Sequence, residues 1–235
     1  MKILALDTSS NVATVAIAED NKLICEYTLN HKKTHSQKLM PMIQDLFAAC
    51  EMTVQDIDAI AVAVGPGSFT GLRIGIATAK ALAHAANKPV VSVSTLDAMA
   101  YNLPFCSYTI VPIMDARRSQ VYTGVYKWSA SSLITLHAPK PMAIDELCDI
   151  LNQGDEPAVF IGDGVPVHEA YIRDALGVRA IFGGLHYNMQ RASSVAACGI
   201  DKAKRGELLN YNRLLPEYHR LSQAEREYNE KESKD

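Results

Sequence analysis

Hydrophobic and polar positions alternate with a period of two near the start of the chain. Within Val12–Ala18, residues Ala13, Val15 and Ile17 fall on one face, and Val12, Thr14, Ala16 and Ala18 on the other. That period is the signature of an extended strand. Lys2–Thr8, Val12–Ala18 and Lys22–Leu29 therefore predict three strands. Ser9-Ser10-Asn11 and Glu19-Asp20-Asn21 are turns short enough to make them an antiparallel meander. The period then changes. Leu39, Ile43, Leu46 and Cys50 make one apolar stripe at helical spacing, with Met40 and Phe47 a second, which predicts a helix over Ser36–Cys50. Pro41 lies inside it, so the helix is expected either to begin nearer Leu39 or to carry a kinked first turn.

Asp58–Val64 is almost wholly apolar, as a strand buried on both faces requires. Phe69–Ala86 reads as a helix in which Gly71, Gly75, Ala79 and Ala83 recur as a smooth ridge, ended by Asn87 and Pro89. Pro89–Val93 is a further strand. Ser94-Thr95-Leu96-Asp97 has the pattern of a capping box opening a short helix to Tyr101. Asn102-Leu103-Pro104 marks a lobe boundary. Beyond it, Tyr108–Met114 and Gln120–Tyr126 predict a hairpin around Asp115–Ser119, followed by a strand near Leu133–Ala138. Helices are expected at Ile144–Leu151, His168–Leu176 and Ser193–Lys204, and strands at Val159–Gly162 and Val178–Phe182. The division that follows is 1–103, 104–222 and a densely charged tail, 223–235, expected to be disordered.

Composition narrows the class. A chain of 235 residues with net charge −3 and 48% hydrophobic content is globular and long enough for one large or two small domains. Mild acidity argues against independent binding of a nucleic-acid backbone. The five cysteines form no C-x-x-C, so neither a zinc site nor a disulfide framework is suggested. Asp7 breaks the first apolar run, which excludes a signal segment there, and no run reaches membrane-spanning length. A cytoplasmic protein is expected.

The chemistry concentrates in Gly65–Lys80, GPGSFTGLRIGIATAK, between a strand and a helix. Two readings stand. A strand, a Gly-rich turn and a helix N-terminus can make an anion-binding corner. The same glycines can equally serve a tight strand-to-helix connection. Neither G-x-x-x-x-G-K-[ST] nor G-x-G-x-x-G is present, and Phe69-Thr70 between Ser68 and Gly71 breaks G-x-S-x-G.

With its flanks, this block resembles the TsaB family, whose members help make threonylcarbamoyladenosine beside the tRNA anticodon. The resemblance is carried by Ile3-Leu-Ala-Leu-Asp7-Thr8-Ser9-Ser10, by Thr34-His35-Ser36-Gln37, by GPGSFTGLRIG with Ala79-Lys80, and by Asp115-Ala116-Arg117-Arg118. It is dense in the first half and returns weakly at Pro216-Glu217-Tyr218. It implies an α/β fold of two actin-like, ribonuclease H-like lobes, the second abbreviated. In that superfamily Asp7 and Thr8 would meet phosphate or its metal, and Gly162 and Gly164 would flank adenosine, although ordinary turns account for both groups more economically. The charged tip at Asp115, Arg117 and Arg118 admits an ion-pair network, a partner contact or a phosphate.

The catalytic relatives, the TsaD proteins, hold a metal with two histidines of an N-H-x-x-G-H-type motif. Aligned on Ala79-Lys80 and Val90–Val93, those positions fall on Thr95 and Met99, which supply no imidazole. His31 and His35, four apart in a polar loop, make a weak metal candidate. The resemblance therefore implies a non-catalytic subunit that pairs with a TsaD-like transferase and offers a docking surface to a TsaE-like ATPase. ATP, metal and tRNA would be met only through partners. The partner interface, also used by a homodimer when the chain is alone, is expected on two helices, at Leu39, Met40, Ile43, Phe47, Phe69, Leu72, Arg73, Gly75, Ile76, Ala79 and Lys80. A stand-alone actin-like ATPase or kinase is the alternative, favoured by Asp7-Thr8 and Gly162-Asp163-Gly164 but opposed by chain length. A metallopeptidase is opposed by Thr95 and Met99.

Overall fold

The computed structural model describes residues 1–31, 35–117 and 119–219. The expected tail, 223–235, and Arg118 lie outside these residues. The first sheet is built from β1 (Lys2–Asp7), β2 (Val12–Glu19), β3 (Lys22–Asn30), β4 (Ala59–Gly65) and β5 (Val90–Ser94), in the order β3-β2-β1-β4-β5. β1–β3 form the expected antiparallel meander; β4 and β5 are parallel to β1 and to each other. Helices α1 (His35–Ala49), α2 (Phe69–Ala86) and α3 (Thr95–Ala100) complete the β-β-β-α-β-α-β-α order.

β4 shows how the sequence chooses the layers. Its Ile60, Val62 and Val64 join Leu4, Leu6, Val15 and Ile17 on the face covered by α1 and α2. The alternate residues Ala59, Ala61 and Ala63 join Ile3, Ala5 and Ala16 on the other face. That second face is smooth, and α6 (Ala192–Lys204) lies directly on it. A Cβ on Gly199 of α6 would come 2.7 Å from the Cβ of Ala61, closer than two side-chain carbons pack. Small residues on both sides bring the helix down onto the sheet.

The second sheet, ordered β10-β9-β6-β7-β8, comprises β6 (Thr109–Asp115), β7 (Gln120–Ser129), β8 (Ser132–Ala143), β9 (Ala158–Ile161) and β10 (Ala180–Phe182). α4 (Ile144–Asn152) and α5 (Val165–Leu176) cover one face through Leu147, Cys148 and Ile172. α6 and residues 207–218, placed with the second lobe by the division at 103/104, return to the first sheet. Leu214 is fully buried in its core, and Leu209 pairs with Val90 along the β5 edge through backbone bonds of 2.8 and 2.9 Å.

Local signals resolve as follows. Asn87 ends α2 in the left-handed conformation. Ser94 caps α3 by accepting from the Asp97 amide at 3.3 Å, but the Asp97 carboxylate accepts from Tyr126 Oη at 2.8 Å instead of closing the capping box. The helix does not begin nearer Leu39: α1 begins at His35 and runs through Pro41. Its missing N–H would have bonded the carbonyl of Gln37, in the exposed first turn, where water can satisfy that oxygen.

Candidate functional site

The Gly-rich turn is packed against the chain's own backbone. Ser68 caps α2, its Oγ accepting from the Gly71 amide at 3.3 Å, while its own N–H donates to the Ser9 carbonyl at 2.6 Å. Thr8 Oγ1 donates to the Gly71 carbonyl at 2.8 Å. A methyl group on Gly71 would fall on the Thr8 carbonyl oxygen, and one on Gly75 would fall on Thr8 Oγ1. Gly71 and Gly75 therefore seat the first turns of α2 on the Thr8 turn that follows β1, and Ala79 and Ala83 continue the ridge into the core. Of the two readings of this block, the geometry supports the tight connection.

Asp7 and Thr8 are 1% and 2% exposed. Asp7 Oδ1 accepts from the Ser9 amide at 2.7 Å; Oδ2 has no partner among the described residues. Burial pushes the Asp7 carboxyl up to about 6 from 3.8, against the downward pull of the Ser9 hydrogen bonds and the charge of His35. Gly162 and Gly164 sit on β6 instead: the Gly164 amide donates to the Ile113 carbonyl at 3.1 Å, and Asp163 Oδ1 accepts from the Asp115 amide at 3.3 Å. Between these two groups lies Gln190, buried, which accepts from Ser10 Oγ at 2.7 Å and donates to Met99 Sδ at 3.7 Å. Asn102 fastens the same segment, donating from Nδ2 to the carbonyls of Tyr187 and Met189 at 3.0 Å each. Gln190 thus bridges the turn after β1 and Met99, whose terminal methyl lies against Gly162. Sequence reasoning gave no sign of this bridge, whose polar side chains look like ordinary loop residues.

Thr95 and Met99 are fully buried or nearly so, Met99 against Gln190. Among the described residues no three His, Cys, Asp or Glu side chains converge on a point. His35 Nε2 lies 2.7 Å from the Ser10 carbonyl, while His31 is exposed. At the β6–β7 tip, Asp115 Oδ1 accepts from the Arg117 amide at 2.8 Å, an Asx-type turn.

The expected partner interface needs correction. Leu39, Ile43, Leu72, Gly75, Ile76 and Ala79 point into the chain's own core, where they meet the bulky face of the sheet. The small-residue ridge is therefore internal, and Ala79→Glu would bury a carboxylate in the core. The outward face is rotated by about half a turn from it. Met40 (40% exposed), Arg73, Ala77, Ala81 and Ala85 are exposed, with Phe47, Phe69 and Lys80 half-buried.

A C-terminal strap closes one end of this face. The Glu217 amide donates to the Val64 carbonyl at 2.8 Å. Tyr218 stacks on Phe69 with centroids 4.5 Å apart, and Arg73 lies over the Phe69 ring at 3.9 Å while its Nε donates to Tyr218 Oη at 2.8 Å. The only trace of the strap in the sequence was Pro216-Glu217-Tyr218. No described helix is long and apolar enough to cross a membrane.

Comparison with known proteins agrees with this architecture. The family described as "TsaD: tRNA N6-adenosine threonylcarbamoyltransferase" matches residues 22–228. The tRNA threonylcarbamoyladenosine biosynthesis protein TsaB of Bacillus subtilis is 36% identical over 225 residues, covering 96% of each chain. TsaB of Escherichia coli is 37% identical over 129 residues, covering 54% of this chain and 55% of its own. YeaZ from Pseudomonas aeruginosa superposes with a TM-score of 0.77 at 26% identity, over 92% of this chain and 99% of its own. The ROK hexokinase of Thermus thermophilus, at TM-score 0.51 and 12% identity over 87% of this chain and 100% of its own, shares the actin-like fold alone.

Proposed function

The chain belongs to the TsaB family, and on that premise we propose that it serves threonylcarbamoyladenosine formation on tRNA as a non-catalytic subunit, pairing with and activating a TsaD-type transferase. The observation that carries this reading is the relationship to Bacillus subtilis TsaB along 96% of both chains. Residue chemistry supports the non-catalytic part. A buried threonine and a thioether stand at 95 and 99, and neither replaces imidazole on a hard or borderline metal. ATP, metal and tRNA then belong to the assembly, with a TsaE-type ATPase docking on it, in the cytoplasm where tRNA is modified.

The outer face of α1 and α2 is the docking surface in this reading. Met40 and Phe47 on α1 and the Ala77–Ala81–Ala85 stripe on α2 present an apolar, closely approachable pair of helices. Alone, the chain uses the same face isologously as a homodimer, and the partner competes for it. Co-purification with a TsaD-type subunit tests the proposal. Met40→Glu is expected to disrupt both assemblies with the melting temperature unchanged, because the side chain is exposed in the free chain. A well-folded Met40→Glu protein that dimerises and binds normally would move the surface elsewhere.

Nucleotide binding separates this reading from the stand-alone ATPase. With Asp7 buried and Gln190 tying the turn after β1 to Met99, the isolated chain should bind ATP no tighter than about 1 mM in calorimetry. A micromolar dissociation constant that Asp7→Ala removes would favour the ATPase.

A further inference from the structure

We infer that Arg73 is a pre-set anion anchor at the end of the docking face, taking a carboxylate of the protein partner between its two terminal nitrogens. The inference rests on the reading that the outer face of α1 and α2 receives that partner.

An exposed arginine ordinarily samples many rotamers, and fixing it on binding costs free energy. Arg73 is fixed beforehand. Its guanidinium lies 3.9 Å over the Phe69 ring, and its Nε–H is spent on Tyr218 Oη at 2.8 Å. Tyr218 is itself held, stacked on Phe69 at 4.5 Å and following a backbone bond from Glu217 to Val64. No carboxylate among the described residues pairs with Arg73. The N–H groups of Nη1 and Nη2 remain, an arrangement that matches the two oxygens of a carboxylate.

The surroundings select the source of that carboxylate. Arg73 heads an exposed stripe of Ala77, Ala81 and Ala85, beside a half-buried Lys80 and an exposed His84, on a helix that contains no acidic residue. A nucleic-acid backbone is held by several converging cations. A smooth stripe ending in one oriented guanidinium suits a partner helix that lies along the alanines and places a single Asp or Glu at Arg73.

Calorimetry of the full chain with a TsaD-type subunit, across a range of salt concentrations, tests this. Arg73→Met keeps a stem over Phe69 and removes the fork; binding should weaken about thirty-fold, with a flatter salt dependence. Arg73→Lys should recover only a minor part, because an ammonium cannot bond both oxygens in the same geometry. Tyr218→Phe keeps the ring stack but frees Nε, and should weaken binding about three- to tenfold at unchanged melting temperature. Met40→Glu reports separately on the docking face. If Arg73→Met binds like the natural chain while Met40→Glu does not, the anchor is wrong and the docking reading stands. If neither variant loses affinity, the docking reading itself fails. If Arg73→Met keeps the protein partner but the assembly no longer retains tRNA, Arg73 meets phosphate and the inference is overturned.

Discussion

Gly71→Ala should destabilise the protein by on the order of 3 kcal/mol or more, although alanine is the better helix former by about 1 kcal/mol. The two effects oppose each other, and their sizes decide the outcome. Gly71 sits in the first turn of α2, where the new methyl would fall on the Thr8 carbonyl oxygen. That oxygen is backbone, fixed by the β1–β2 turn, so it cannot rotate away. Moving α2 outward instead would break the buried bond from Thr8 Oγ1 to the Gly71 carbonyl, 2.8 Å long, and strip contacts from Leu72 and Ile76 in the core. Gly154→Ala is the control: nothing lies within 4 Å of its added methyl, and the change should stay within about 0.5 kcal/mol. Urea unfolding of both variants measures the contrast. Equal stability for the two would mean that α2 is not seated on the Thr8 turn.

The opposite sign is expected at Asp7. Its carboxyl is raised from 3.8 to about 6, mainly by burial, so the fold favours the neutral acid. The stability this lends is complete below the unfolded value and is lost as pH rises through about 6. Above that, keeping an ionised carboxylate in the site costs about 3 kcal/mol relative to the neutral form. Asp7→Asn retains an acceptor for the Ser9 amide and replaces the unpartnered Oδ2 with an uncharged group. It should therefore be more stable than the natural chain by about 3 kcal/mol at about pH 8 and nearly equal to it at about pH 4. Denaturant midpoints at both values check this. A difference that does not change with pH would show that Asp7 is not held against its charge. A stabilising substitution at this position would also separate burial from function, since the residue's present cost must be carried by the rest of the core.

Strands and helices were legible where a single period governs a segment. The unbroken apolar run of β4 states a strand buried on both faces, the Leu39–Ile43–Leu46 stripe of α1 states which side turns inward, and the structure agrees with both. What periodicity does not state is which of two smooth faces turns inward. In α2, Gly71–Gly75–Ala79–Ala83 and Ala77–Ala81–Ala85 are both free of bulk, and the first looks like an association ridge until Thr8 is seen to require it. The signal that could have decided was the placement of Leu72 and Ile76, which share the inward side with the glycines. Contacts between distant segments were less legible still. The Gln190 bridge and the Leu209–Tyr218 strap depend on where a later stretch of chain comes to rest. Of the proposed docking face, the two helices and Met40, Phe47, Phe69, Arg73 and Lys80 were named from the sequence; the Ala77–Ala81–Ala85 stripe was not.

The return of α6 and Leu214 to the first sheet sets the order in which the protein can be made. All five strands of that sheet have left the ribosome once Ser94 has emerged. At that stage one face still exposes Ile3, Val91 and Val93, because the helix that covers it begins only at Ala192. The opposite core still lacks Leu214, and the β5 edge lacks Leu209. Contacts this far apart in sequence delay folding, since the long intervening loop must close before they form. The nascent N-terminal half must therefore carry a bare apolar face through the synthesis of the entire second sheet, and it reaches its native packing only once residues 192–214 have emerged.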